Sequence, residues 1–173
     1  MTMKVDTHFA ENAPAKELMP QTTFALGRAI RRILVVDDDA RVRDGVTAVL
    51  ESEGYEVFGA ADGLAAVVSA KTHQPDLVVL DLNMPQMDGW TTFATLDRER
   101  PLVPVIVITA RPHQYAEAVR LGVDAFMEKP LNFAVLLDAI RDLTRDCRSP
   151  RTRRAINPCF ITEFLRNGER SRY

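Results

Sequence analysis

Leu77-Val78-Val79-Leu80-Asp81-Leu82-Asn83-Met84-Pro85 is the stretch whose reading decides the fold. Its four leading apolar residues include the β-branched Val78 and Val79 and carry no polar break. Such a run reads as a strand buried on both faces of a parallel sheet. It ends on Asp81, and Pro85 with the Asp88-Gly89 pair then forces a turn. A carboxylate at the C-terminal end of a strand of this kind lies at the crevice where open α/β sheets bind ligands.

Three other stretches follow the same plan. Ile33-Leu34-Val35-Val36 runs into Asp37-Asp38-Asp39, and Val105-Ile106-Val107-Ile108 runs into Thr109-Ala110. Val123-Asp124-Ala125-Phe126-Met127 runs into Glu128-Lys129-Pro130. The spacing predicts strands at 32–36, 55–59, 77–80, 104–108 and 123–127. Between them, the first helix carries Val42, Val46, Val49 and Leu50 and stops at Gly54; the second starts near Asp62. The third runs from Gly89 to before Pro101, the fourth over 113–121 to Gly122, and the fifth over 132–145. This is an α/β chain: a flavodoxin-like (βα)5 doubly wound parallel sheet of strand order 2-1-3-4-5. Its switch point, between strands one and three, gathers Asp37, Asp38 and Asp81 at the binding crevice.

The 173 residues are 46% hydrophobic and 27% charged, which suits one globular domain with extensions. No apolar run approaches the roughly 20 residues of a membrane span, and residues 1–6 lack the apolar segment of a signal peptide. A cytoplasmic location is therefore expected, with no membrane partner. Cys147 and Cys159 have no metal-like spacing and read as free thiols. Charge divides the chain. Residues 31–146 hold 12 Lys/Arg against 19 Asp/Glu, whereas residues 147–173 hold 7 Arg against 2 Glu. Residues 1–30 read as a flexible N-terminal leader, 31–146 as the domain, and 147–173 as a basic C-terminal tail. Within that tail, Asn157-Pro158 and Asn167-Gly168 bracket a short helix predicted over 158–167, with Phe160, Ile161, Phe164 and Leu165 on one side. The tail reads either as a solubilising extension or as a docking peptide, and its composition does not choose between them.

The rim residues imply a chemistry. Magnesium is a hard cation that takes oxygen ligands, and two or three carboxylates at one sheet edge suit it. Asp81 is then both a ligand and a nucleophile able to accept a phosphoryl group as an acyl phosphate. Lys129 offers an ammonium and Thr109 a hydroxyl to the incoming oxygens. Asp39 reads as the N-cap of the first helix rather than as a metal ligand. Phe126 reads as a core aromatic of strand five. Met84, Met87 and Trp90 read as packing around the turn after Asp81, and Arg111 reads equally as an arginine hanging over the site or as a solvated one. His8, His73 and His113 show no ligand pairing.

Four motifs now stand in order across residues 31–146: Ile33 to Asp39, Asp81 to Gly89, Val107 to Ala110, and Met127 to Pro130. In content and spacing the segment resembles the receiver domain of bacterial two-component response regulators, of the single-domain type. The resemblance implies that Asp81 is the phosphoacceptor and that Asp38 binds Mg2+ directly and Asp37 through water. Asn83 would give its backbone carbonyl to the metal. Thr109 and Lys129 would bind the phosphoryl group, with a cis peptide at Lys129-Pro130. Thr109 and Phe126 would be the switch pair. The implied partners are a sensor histidine kinase or histidine phosphotransfer protein, and a downstream target on the helix 4–strand 5–helix 5 face. A homodimer through that face is compatible with this reading.

The chain would not be an enzyme beyond Mg2+-dependent self-phosphorylation and autodephosphorylation of Asp81. The 27 residues after Asp146 are too few for a DNA-binding output domain with its own core, so signalling by protein–protein contact is expected and nucleic acid is not. A haloacid dehalogenase-type phosphatase would use Asp37 as nucleophile, but Arg41 and Pro130-Leu131-Asn132 depart from its pattern. A DNA-binding regulator acting through the basic tail is the other alternative, and a steep loss of binding with salt would mark it.

Overall fold

Runs of Val, Ile and Leu too apolar to face water on either side form the centre of the sheet. The computed structural model describes residues 31–85, 87–145, 162–166 and 169–172. In chain order the elements are β1 (Arg32–Val36), α1 (Ala40–Ser52), β2 (Glu56–Ala60), α2 (Gly63–His73), β3 (Leu77–Asp81) and α3 (Gly89–Glu99). There follow β4 (Val105–Thr109), α4 (Tyr115–Leu121), β5 (Ala125–Glu128), α5 (Phe133–Arg145), β6 (Glu163–Arg166) and β7 (Glu169–Arg172).

The sheet order is β2-β1-β3-β4-β5-β6-β7. Its first five strands are all parallel and stand in the expected flavodoxin-like order. β2, at one edge, has the half-exposed pattern expected of it. Successive side chains of each strand serve opposite faces. Leu34, Val36, Val78, Leu80, Val107 and Phe126 pack on one side with Phe93 and Leu96 of α3. Ile33, Val35, Val79, Ile106, Ile108 and Met127 pack on the other with Val46 and Leu50 of α1 and Leu136 and Ile140 of α5. Each fully buried aliphatic side chain contributes about 1.5–3 kcal/mol.

Three aspartates start helices. Asp39, Asp62 and Asp88 each accept a backbone N–H from the first turn, at Arg41, Ala65 and Thr91. Gly122, at φ 73°, closes α4 as expected. α4 opens two residues later than the spacing suggested. His113 is left-handed (φ 63°) and Gln114 makes no side-chain cap, so the helix has no anchored start before Tyr115. β4 and β3 run one residue further than expected, taking Thr109 and Asp81 into the sheet.

Where it is described, the helix expected over 158–167 is a strand instead. Glu163–Arg166 is strand β6, parallel to β5, and β7 returns antiparallel to it. The described part of the basic tail thus belongs to the same sheet as the domain. A helix of about ten residues is marginal alone, whereas the end of a five-stranded sheet leaves a row of unpaired backbone groups. As a strand, the consecutive Phe164 and Leu165 serve opposite faces, and both are buried. The pair Asn167-Gly168, read as a helix stop, is equally the sequence signal of a two-residue hairpin. The leader 1–30, both cysteines and the first part of the expected helix lie outside the described residues.

Gly89 marks a point of close approach. A Cβ there would stand 2.4 Å from Leu82 Cα and 2.7 Å from Asp81 O. Gly89→Ala should therefore lower stability by about 1–3 kcal/mol in urea unfolding. Gly45, inside α1, has nothing within 4 Å of such an atom. Gly45→Ala should leave stability unchanged or raise it by about 0.5–1 kcal/mol. Equal behaviour of the two variants would contradict this packing.

Candidate functional site

The sheet register sets the site. Val36 of β1 lies opposite Leu80 of β3, so Asp37 and Asp81 leave their strands side by side. Asp81 lies opposite Ile108, and Thr109 opposite Glu128, so Thr109 and Lys129 reach the same rim. Asp37, Asp38 and Asp81 each offer a carboxylate oxygen, and these oxygens lie within 4.8 Å of one another. Asp37 and Asp81 are buried, at 4% and 3% exposure, and Asp38 is exposed. Lys129, one residue past β5, places Nζ 2.9 Å from Asp37 Oδ2 and 3.2 Å from Asp81 Oδ2. Its peptide with Pro130 is cis, and its backbone N–H donates to Thr109 O at 2.8 Å. Asp37 is further held by the backbone N–H of Asp39, which donates to Oδ1 at 2.9 Å.

These groups tune one another. Burial pushes the Asp37 carboxyl above its ordinary range. The hydrogen bond and charge of Lys129 oppose that push, and the neighbouring Asp81 adds to it. Burial also works against the Lys129 ammonium, but its bond to Asp37 and the charges of Asp81 and Asp37 outweigh it and hold the lysine above its usual value. Three carboxylates face one ammonium, so the rim keeps excess negative charge when all are ionised. Asp81 Oδ1 is buried and accepts no hydrogen bond among the described residues. An orphaned carboxylate oxygen among oxygen donors of excess negative charge fits a hard divalent cation such as Mg2+.

The remaining predicted residues fall into place in different ways. Thr109 is wholly buried, and its Oγ1 accepts the backbone N–H of Arg111 at 2.9 Å. Asn83 lies two residues past Asp81, on the loop, and its side-chain Oδ1 accepts Arg111 Nε at 3.0 Å. Arg111 therefore contacts the loop that follows Asp81. Asp39 caps α1, as expected. Phe126 is away from the rim and wholly buried, stacked on Phe164 and edge-on to Tyr115. Trp90 donates Nε1–H to Gln114 at 3.1 Å and packs edge-on to Phe93. Tyr115 and Phe164, the aromatic neighbours of Phe126, were not singled out as a pair. Only their aromatic character signals it, since they come from α4 and β6.

A buried carboxylate beside an ammonium, a hydroxyl and a cation-fitting cluster can attack an electrophilic phosphorus and hold the oxygens of the transferred group. The chain is similar to proteins of one family. The family model described as the response regulator receiver domain matches residues 33–141. A curated relative, the transcriptional regulatory protein PdtaR of Mycobacterium tuberculosis, is 37% identical over 122 residues, covering 69% of this chain and 59% of that protein. A solved CheY-like response regulator receiver domain protein from Methanospirillum hungatei is 30% identical, with a TM-score of 0.64 over 68% of this chain and 95% of that one. A chain of the solved CheX-CheY-BeF3-Mg2+ complex from Borrelia burgdorferi is 32% identical, with a TM-score of 0.61 over 65% of this chain and 87% of that one. The chain spans about half the length of the curated relatives it matches.

Removing the ammonium should expose the repulsion it offsets. Lys129→Met should lose about 1–3 kcal/mol at neutral pH. The folded-state value of Asp37 lies above its free value, so its ionisation opposes folding and that cost is relieved as pH falls through the raised value. Lys129, with its own value raised, stays charged throughout this range. The deficit of the variant in urea unfolding should therefore narrow from neutral pH to about pH 4. A deficit constant across that range would contradict the assigned electrostatics.

Proposed function

The chain belongs to the response regulator receiver family, and on that premise we propose that it accepts a phosphoryl group on Asp81 in a two-component or phosphorelay pathway. The donor is a phosphohistidine on a sensor histidine kinase or histidine phosphotransfer protein. The observation that carries the reading is the buried Asp81 carboxylate, with one oxygen on Lys129 and the other without a hydrogen bond among the described residues. The carboxylate attacks as it stands: its oxygen bonds phosphorus as the bond to the donor nitrogen breaks. Lys129 and the Thr109 hydroxyl hold the oxygens of the transferred group. Asp37, Asp38 and Asp81, with the Asn83 backbone carbonyl, would hold Mg2+, which would supply charge neutralisation at those oxygens. The solved neighbour in complex with BeF3 and Mg2+ supports that choice of metal. Attack of water on the acyl phosphate ends the signal, returning Asp81 and inorganic phosphate, and no other reaction is assigned to the chain.

Readout proceeds by protein contact. Thr109 and Phe126 relay the state of Asp81 to the α4–β5–α5 face, where a target binds. Several relatives are named as transcriptional regulators. What carries over from them is the receiver's part of their work, because the match spans about half their length. The partners so implied are cytoplasmic.

Acetyl phosphate with Mg2+ should add one phosphoryl group to the wild-type chain, read by intact mass, and none to Asp81→Asn. Chelation of Mg2+ should abolish the gain, and Lys129→Ala should slow it roughly a hundredfold. A gain that survives Asp81→Asn would move the acceptor elsewhere, to Asp37 first.

A further inference from the structure

We propose that the β6–β7 hairpin is this chain's own occupant of the α4–β5–α5 face, so that a target reaches β5 only by displacing it. The inference rests on the receiver reading above and adds what covers its output surface. The carrying observation is that the hairpin touches all three elements of that face. On β5, β6 adds a parallel strand with Ala125 opposite Glu163, Phe126 opposite Phe164 and Met127 opposite Leu165. Glu163 N–H donates to Asp124 O at 3.2 Å. On α4, the Tyr115 hydroxyl donates to Thr162 O at 3.0 Å. The Tyr115 ring stands edge-on to Phe164 with centroids 4.8 Å apart. On α5, Leu165 is buried in the cluster that holds Leu136 and Ile140.

The contact defines what could replace it. β5 accepts an extended segment that pairs along its edge and offers an aromatic and then an aliphatic residue to opposite faces. This is strand addition, in which main-chain bonds give affinity and alternate side chains give selectivity. The hairpin is the intramolecular competitor for any partner of that kind.

The contact is also joined to the acid rim. Thr109 lies two residues from Val107 on the same strand and so on the same face. Val107 is opposite Phe126, which is opposite Phe164 and stacks on it with centroids 5.6 Å apart. One row of side chains thus crosses β4, β5 and β6. At the end of β5, Lys129 bonds Asp81 through its side chain and Thr109 through its backbone. A phosphoryl group on Asp81 competes for the Lys129 ammonium and the Thr109 hydroxyl, so it shifts the end of β5 and the floor beneath Phe126. Phosphorylation therefore loosens the hairpin.

A labelled peptide of residues 162–172 serves as a strand-adding probe, titrated by fluorescence anisotropy against the full chain. The unphosphorylated wild type should bind it only weakly. Phe164→Asp, whose own hairpin cannot dock, should bind it, and Tyr115→Phe should bind it more weakly. Wild type loaded from acetyl phosphate and Mg2+ should bind about tenfold more tightly than unloaded. A peptide carrying the Phe164→Asp change should bind none of them. Equal binding by unloaded wild type and Phe164→Asp overturns the proposal. So does failure of both variants to bind while their circular dichroism stays native; if Phe164→Asp does not fold, Tyr115→Phe decides. A loaded chain that binds the peptide no more tightly than the unloaded one overturns the coupling to Asp81. A chain that takes phosphate from neither acetyl phosphate nor a phosphorylated kinase overturns the acceptor reading instead, and the variants still decide the hairpin.

Discussion

Everything at the rim depends on one ammonium held between two buried carboxylates. Asp37 and Asp81 emerge side by side because β1 and β3 are adjacent and parallel, and a sheet of this topology cannot separate them. Left alone, two such charges in a poorly solvated crevice would repel each other. Lys129 makes their juxtaposition tolerable at neutral pH, and it comes from a third strand. The polar part of the site therefore ties β1, β3 and β5 together across the sheet. The pairing is incomplete, since Asp81 Oδ1 has no hydrogen bond among the described residues. That deficit is what makes the crevice receptive to a further positive group.

The rest of the sheet exists to fix that geometry. Both faces are covered by helices, so the strands can be apolar from end to end and still be satisfied. The central strands β3 and β4 carry polar groups at their C-terminal ends, Asp81 and Thr109, and parallel strands all end at the same edge. The helix caps serve the same end. Asp39 caps α1 through its side chain while its backbone N–H holds Asp37, so the start of a helix and the orientation of a rim carboxylate are one structure. Gly89 does the like for α3, letting the helix begin against the backbone of Asp81 and Leu82.

This division explains what could be read from sequence. Unbroken apolar runs ending in Asp37, Asp81, Thr109 and Lys129 are local signals, and the order of a doubly wound sheet follows from handedness and connection rules. The strand order, the acidic rim and the position of Lys129 were legible for that reason. The contact of Arg111 with Asn83 was only half legible, because an arginine near a site has many partners. The C-terminal hairpin was not. Phe164 and Leu165 fit one side of a short helix as well as the two faces of a strand, and Asn167-Gly168 ends either element. What decides is the open edge of β5, which no local pattern around residue 164 contains. Phe126 shows the same limit: its burial follows from the strand, but its stacking on Phe164 depends on an edge pairing that only the assembled sheet supplies.

If the hairpin and the phosphoryl group act on the same end of β5, their effects are reciprocal. Whatever free energy phosphorylation takes from hairpin docking, docking takes from the phosphorylated state. The covered chain is then the poorer acceptor at equilibrium, and a partner that pairs with β5 and displaces the hairpin favours the phosphorylated form it reads. No separate device for commitment is needed. A sheet edge that can be closed by its own chain or by another, and an acid rim whose lysine sits at the end of that same strand, suffice to make target binding and phosphate retention support each other.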